Sequence, residues 1–241
     1  MASEIETARR GIGQRFYAYA FVCAALVVFA GFARTYYLKT FFGTPVLYPL
    51  LHVHGMVMTS WFVLFGAQTW LVQAHRTDLH RRLGVVGVLL ATLILAVGTA
   101  VVTINAQEGR VPPGAPVAVI VGLSYVNLLV FGILVAAAIF LRRRSDFHKR
   151  LMLLATINLL SAAISRIPLD FIGEGGLLAV FGPLDLFIVV CIVYDTWRHR
   201  RLHPAFVWGA LLSIVWPLLG ILMGQSATWG RVTAWLVSKG T

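Results

Sequence analysis

Asp78-Leu79-His80-Arg81-Arg82-Leu83-Gly84 ends one long apolar run and opens the next. The stretch returns as Asp146-Phe147-His148-Lys149-Arg150-Leu151, and more faintly as Arg201-Leu202-His203-Pro204. Each copy sets a histidine among basic residues at the start of a hydrophobic segment. Working outward from these junctions, the chain divides into apolar runs at about residues 16–32, 50–72, 83–104, 117–141, 151–167, 177–194 and 205–223. A helix needs roughly 20 apolar residues to cross about 30 Å of hydrocarbon, and these runs have that length. The expected fold is an all-α polytopic membrane bundle of seven transmembrane helices.

Composition supports this. Of 241 residues, 59% are hydrophobic and 12% charged, about half the charged fraction of an ordinary soluble domain; the mean hydropathy is +0.83. A net charge of +11 raises the question of nucleic acid. The arginines, however, gather between apolar runs, which fits helix orientation and anionic headgroups on the cytoplasmic side. No nucleic-acid partner is expected. Residues 1–15 are polar and mixed in charge, and no cleavable signal peptide is expected. Cys23 and Cys191 lie inside apolar runs and read as small hydrophobes, not as a disulfide framework.

Lysine and arginine set the orientation. With seven spans, 14 of the 20 fall on one side and 6 on the other, which puts the N-terminus in the cytoplasm and the C-terminus outside. The histidine junctions then all face the cytoplasm, and the chain reads as one helix followed by three hairpin repeats. Residues 1–223 form the transmembrane domain and residues 224–241 an outer interfacial tail, with Trp229, Val232 and Leu236 at helical spacing. The turn between the third and fourth runs is marked by Pro112-Pro113-Gly114. Tyr36, Tyr37, Phe41, Phe42 and Tyr48 suit the outer headgroup region.

Two groups of residues are candidate sites. At the junctions, Asp78 and Asp146 suit helix capping and the following basic pairs suit lipid phosphates. A sharper reading makes His80, His148 and His203 ligands of one cytoplasmic metal ion, as three imidazoles plus water, with His75 and the His199/His203 pair as further donors. On the outer side the candidate metal ligands are His52, His54 and Asp185. His52 and His54 point about 200° apart on a regular helix, and each has a methionine four residues on, Met56 and Met58. Imidazole with thioether suits copper or haem iron. Arg166, Asp170 and Asp185 form a candidate ion pair or proton path, with Arg166 and then His54 as expected partners of the intramembrane Asp185. Ser60, Gln68, Tyr125, Asn127, Asn158 and Ser161 lie deeper, either as hydrogen-bonding glue between helices or as a polar path.

The Leu79–Gly84 junction resembles one carried by uncharacterised bacterial multi-helix inner-membrane proteins. The likeness extends to His54 with Trp61 and Gln68, to the stretch from His148 to Met152, and to Tyr194-Asp195 followed by His203-Pro204. It implies a multi-pass protein of the bacterial inner (cytoplasmic) membrane whose activity is not defined. A weaker similarity is to transmembrane b-type cytochromes, whose histidines on neighbouring helices hold haem; here the fourth run has no histidine.

Three functions remain open: a protein binding a transition metal or haem at the outer site, a transporter of an ion or small molecule using Asp185, and a non-catalytic subunit of a larger membrane complex. No nucleophile elbow, phosphate-binding glycine loop or paired carboxylates argue for an enzyme.

Overall fold

The computed structural model describes residues 2–111, 115–170, 172 and 175–239, with only the backbone described for residues 2–15. The Pro112-Pro113-Gly114 turn lies outside the described residues, as do the side chains of Arg9, Arg10 and Arg15. The helices are α1 (Ala2–Phe32), α2 (Pro49–Gln73), α3 (Thr77–Gln107), α4 (Val117–Phe140), α5 (Ser145–Asn158), α6 (Ser161–Ile164), α7 (Gly176–His199), α8 (Pro204–Gln225) and α9 (Ala227–Val237). Among the described residues, six helical stretches are long and apolar enough to cross a membrane. They carry large apolar side chains outward as well as inward: Leu178, Phe140 and Trp208 are 85%, 84% and 70% exposed. A helix that is hydrophobic all round is built for lipid or for a core. The protein is a multi-pass membrane helical bundle.

Six of the seven apolar runs form single long helices; the fifth is divided. α5 has 14 residues, a turn follows at Leu159-Leu160, and α6 adds 4 more. The break has no glycine or proline. Asn158 Nδ2 instead donates to Leu154 O at 2.8 Å, and Ser161 Oγ donates to Asn158 O at 3.3 Å. Both side chains compete with the helical ladder for its carbonyls, which is how such residues bend helices. The next amide shortens its reach, Leu160 N–H going to Ile157 O at 2.9 Å. This broken segment is the most enclosed part of the chain. Leu154, Ala155, Ile157, Asn158, Leu160 and Ala163 have no exposed surface.

The segment is packed against α4, α7 and α8 through α5 and against α1 and α7 through α6. Its neighbours close in through small residues, the usual interface between membrane helices. α4 and α8 are the most extensively packed pair, and there a Cβ on Gly220 would lie 2.8 Å from Leu123 Cα, while one on Gly224 would strike Val119 Cα.

The tail is helical, as the spacing of its apolar residues predicts. Ser226 caps α9 by accepting the Trp229 amide at 3.2 Å. α9 packs on α3, α4 and α8, and Trp229 Nε1 donates to Ala118 O at 3.0 Å. Its outward face keeps Trp235 62% exposed. The aromatic residues after α1 tie the loop down: Tyr37 OH bonds with Thr59 Oγ1 at 2.9 Å, and Tyr48 OH donates to Asn105 Oδ1 at 2.9 Å.

Gly224→Ala is expected to push α4 from α8 and lower stability by about 1–3 kcal/mol, the usual cost of overpacking. Gly84→Ala, in a helix position with no atom near the added Cβ, serves as the control and leaves the melting temperature in detergent unchanged or slightly raised. Equal melts for the two variants would contradict this packing.

Candidate functional site

The first two histidine junctions are built alike. α3 and α5 begin at corresponding residues, Thr77 and Ser145, behind Arg76 and Arg144. The His80 and His148 amides bond to the Arg76 and Arg144 carbonyls, each at 3.0 Å. The N-cap positions are therefore held by arginine, and Asp78 and Asp146 fall in the first turn, where a carboxylate still opposes the helix dipole. Asp78 pairs with Arg76 at 3.5 Å on the exposed surface. The third copy differs: His203 is itself the N-cap of α8 and accepts the Ala205 amide on Nδ1 at 3.1 Å. That bond fixes its proton on Nε2, which donates to Asp146 Oδ2 at 2.9 Å.

Both ring nitrogens of His203 are thus occupied, so it is not free to act with His80 and His148 as a metal ligand. His80 and His148 do meet, with ring centroids 6.2 Å apart. His148 Nδ1 bonds to Ala138 O at 2.9 Å, and His80 Nδ1 is buried without a partner among the described residues. His199 ends α7, and the left-handed Arg200, with φ 56°, turns the chain before His203. The i, i+4 spacing of that pair therefore does not place both on one helical face.

The outer candidates are also spread out. Tyr36 lies beside His52 and donates to its carbonyl at 3.3 Å. Met56 is 57% exposed, turned out from the bundle, whereas Met58 packs against the core. Arg166 Nη1 donates to Ala162 O at 2.6 Å and its guanidinium lies 5.2 Å from the centre of the Phe32 ring. Among the described residues it pairs with neither Asp185 nor Asp170. Asp185 Oδ1 and His54 Nδ1 are buried with no hydrogen-bond partner among the described residues. No group of three or more His, Cys, Asp or Glu side chains comes together to hold a metal ion among the described residues. Neither metal-ligand trio, His52/His54/Asp185 or His80/His148/His203, is gathered into one site.

Deeper groups do come together. Asn127 Nδ2 donates to Ser161 Oγ at 3.0 Å, joining α4 to α6. Asn158 Nδ2 donates to Ser213 Oγ at 2.7 Å, joining α5 to α8. Trp61 Nε1 donates to Thr156 Oγ1 at 3.3 Å, and Tyr125 OH bonds with Thr103 Oγ1 at 2.6 Å. These are the interhelical bonds that the glue reading expects. Gln68 instead reaches the His80 carbonyl at 3.2 Å.

The strongest polar contact is one the residue pattern did not single out. Arg150 Nε donates to Asp195 Oδ2 at 2.9 Å and Nη2 donates to Oδ1 at 2.7 Å. Arg150 is 2% and Asp195 3% exposed. Nη1 goes to Asp146 O at 2.7 Å, and His199 Nδ1 donates to Asp195 O at 2.8 Å. Arg82, at the matching place in the first junction, is exposed. The signal for Arg150 was Asp195, an acid directly after the sixth apolar run that the topology brings to the same membrane face. Nearby, the bond from His203, with help from the Asp146 and Phe147 amides, holds the Asp146 carboxyl below the usual carboxylate range.

Comparison with protein-family models, with curated proteins and with solved structures finds no match to this chain.

Two outcomes follow. Arg150→Gln leaves the Asp195 carboxylate buried without its guanidinium, with only His199 Nδ1 nearby at 3.3 Å, and is expected to cost about 3–5 kcal/mol in thermal unfolding. The double change Arg150→Met with Asp195→Leu recovers most of that loss; a double variant as unstable as the single would contradict the account. For Asp146, a carboxylate held low in the folded chain stabilises it at pH above the unfolded value of about 3.9, and that help fades as pH falls through the folded value. The stability advantage of wild type over Asp146→Asn is therefore full near neutrality and shrinks in acid. An advantage that grows in acid would refute it.

Proposed function

We propose that this chain is a seven-span protein of the bacterial inner membrane that passes an ion or small polar solute through its centre. Its N-terminus is cytoplasmic and its C-terminus outside, and the basic junctions contact anionic headgroups. The observation that carries this reading is the broken fifth segment. From Ser145 to Ile164 it would extend about 30 Å at 1.5 Å per residue, enough to span with its break inside the bilayer. Broken helices enclosed by other spans are where transporters bind substrate and coupling ions, because irregular backbone is tolerated at that depth only within protein or beside a cavity. Asp185 supplies a carboxylate about 14 Å along α7 at the same rise. Intramembrane acids of this kind mark ion and proton routes. The resemblance to uncharacterised inner-membrane proteins agrees with the location.

A metal-binding reading keeps one observation in its favour. His80 and His148 are neighbours, and the bond from His148 Nδ1 to Ala138 O leaves Nε2 with its lone pair for a ligand bond. Purified protein with bound transition metal or a Soret band would support it, and a preparation lacking both would remove it.

Transport is tested in proteoliposomes loaded with sodium, potassium or a proton-sensitive dye. The wild type is expected to conduct at least one of these, and Asp185→Asn to slow it by about tenfold or more, as befits a carboxylate on the route. If Asp185→Asn carries every measured flux at the wild-type rate, the reading fails.

A further inference from the structure

The hydrogen bonds around the break have a fixed direction. Asn158 has two N–H groups, and both are used, one on Leu154 O and one on Ser213 Oγ. The Ser213 hydroxyl gives its own proton to Gly209 O at 2.8 Å. Ser161 likewise gives its proton to Asn158 O and receives one from Asn127, whose Nδ2 lies 3.0 Å away. Every chain of donors ends on a backbone carbonyl, which can only accept. The orientation of the Asn158 amide is thereby set by the network and not by choice of flip.

The consequence is two amide oxygens turned away from their donors. Asn127 Oδ1 and Asn158 Oδ1 are buried with no partner among the described residues, and Asn158 has no exposed surface at all. Each unmade bond costs about 1–3 kcal/mol, and a buried polar group left so calls for a water or an ion. The same place holds the C-terminal end of α5, where aligned carbonyls carry about half a negative charge. Asn127 Nδ2 donates to Ser161 Oγ, which donates in turn to the Asn158 backbone carbonyl, so one hydroxyl links the Asn127 amide to the end of α5. Both N–H groups of Asn158 and the protons of Ser161 and Ser213 are already spent, and Asn127 gives one of its two to Ser161, while both amide oxygens remain as acceptors.

We propose that Asn127 and Asn158, with the carbonyl end of α5, bind a monovalent alkali cation at the break in the fifth segment. The ligand oxygens are neutral, which suits a single positive charge better than a divalent ion, whose sites recruit carboxylates. Half-helix C-termini and unwound carbonyls are used for such ions in membrane proteins. The site names the solute of the route proposed above and rests on that reading for its purpose, but binding is measured apart from transport.

The test is a melt of the full-length protein in detergent, followed by tryptophan fluorescence, with sodium or potassium chloride replacing choline chloride at constant ionic strength. A bound ion raises the melting temperature in a saturable way. Wild type is expected to show this rise with at least one of the two ions. Asn127→Leu removes one oxygen and is expected to weaken the apparent affinity by about tenfold, the scale of one lost hydrogen-bond-sized interaction. Asn158→Asp keeps the shape, adds a negative charge and is expected to tighten it. Should one variant not fold, the other still decides. Identical wild-type melts in sodium, potassium and choline would overturn the proposal and leave the break a place for water. So would an ion-induced rise that neither variant alters. Cation binding without flux in proteoliposomes would sink the transport reading and leave this site standing.

Discussion

The bundle depends on the buried pairing of Arg150 with Asp195. It lets α5 start inside the protein with charged residues in its first turns, where an unpaired guanidinium would be too costly. The fork geometry uses both carboxylate oxygens, as suits arginine better than lysine. Asp146 completes the clasp by accepting from Arg150 on its backbone and from His203 on its side chain. Together these bonds join the starts of α5 and α8 to the end of α7. With that end anchored, the fifth segment runs on enclosed through most of Arg150 to Ser161, and its sequence is free to be something other than a lipid-facing helix.

What lies above the clasp follows from that enclosure. A segment surrounded by protein tolerates Asn158 and Ser161 taking ladder carbonyls, because Asn127 and Ser213 on adjacent helices receive or supply the remaining bonds. Facing lipid, the same break would leave backbone groups unsatisfied in hydrocarbon. The small residues of α8 serve the same end: Gly209, Gly220 and Gly224 let α4 and the Leu151 and Leu154 side chains approach to contact distance. Enclosure, break and polar centre are one feature.

Much of this was legible in the residues. Apolar run length gave the helices and the membrane class, because hydrocarbon thickness leaves little freedom. The likeness of the first two junctions reaches to the corresponding starting positions of α3 and α5, Thr77 and Ser145. That Asn127, Asn158 and Ser161 could act as glue between helices was legible, but not which partners they take. What escaped was set by tertiary neighbours. The junction motif is nearly the same around Arg82 and Arg150, yet among the described residues only Arg150 has an acid opposite it. His203 looked like a third ligand but faces a helix amide and a carboxylate, which its place in the sequence does not reveal. Asp185 and Arg166 matched in depth, yet Arg166 turns to Ala162 and Phe32. The division of the fifth run was hidden because no glycine or proline marks it.

We propose that the broken fifth segment crosses the bilayer as the pillar of the bundle. Single cysteines at Arg143→Cys and Leu169→Cys, in a chain whose Cys23 and Cys191 are replaced by alanine, bracket that segment. Labelled with a membrane-impermeant maleimide in intact cells and in inverted vesicles, position 143 should react only from the cytoplasmic side and position 169 only from the opposite side. Reaction of both positions from the same side would contradict it.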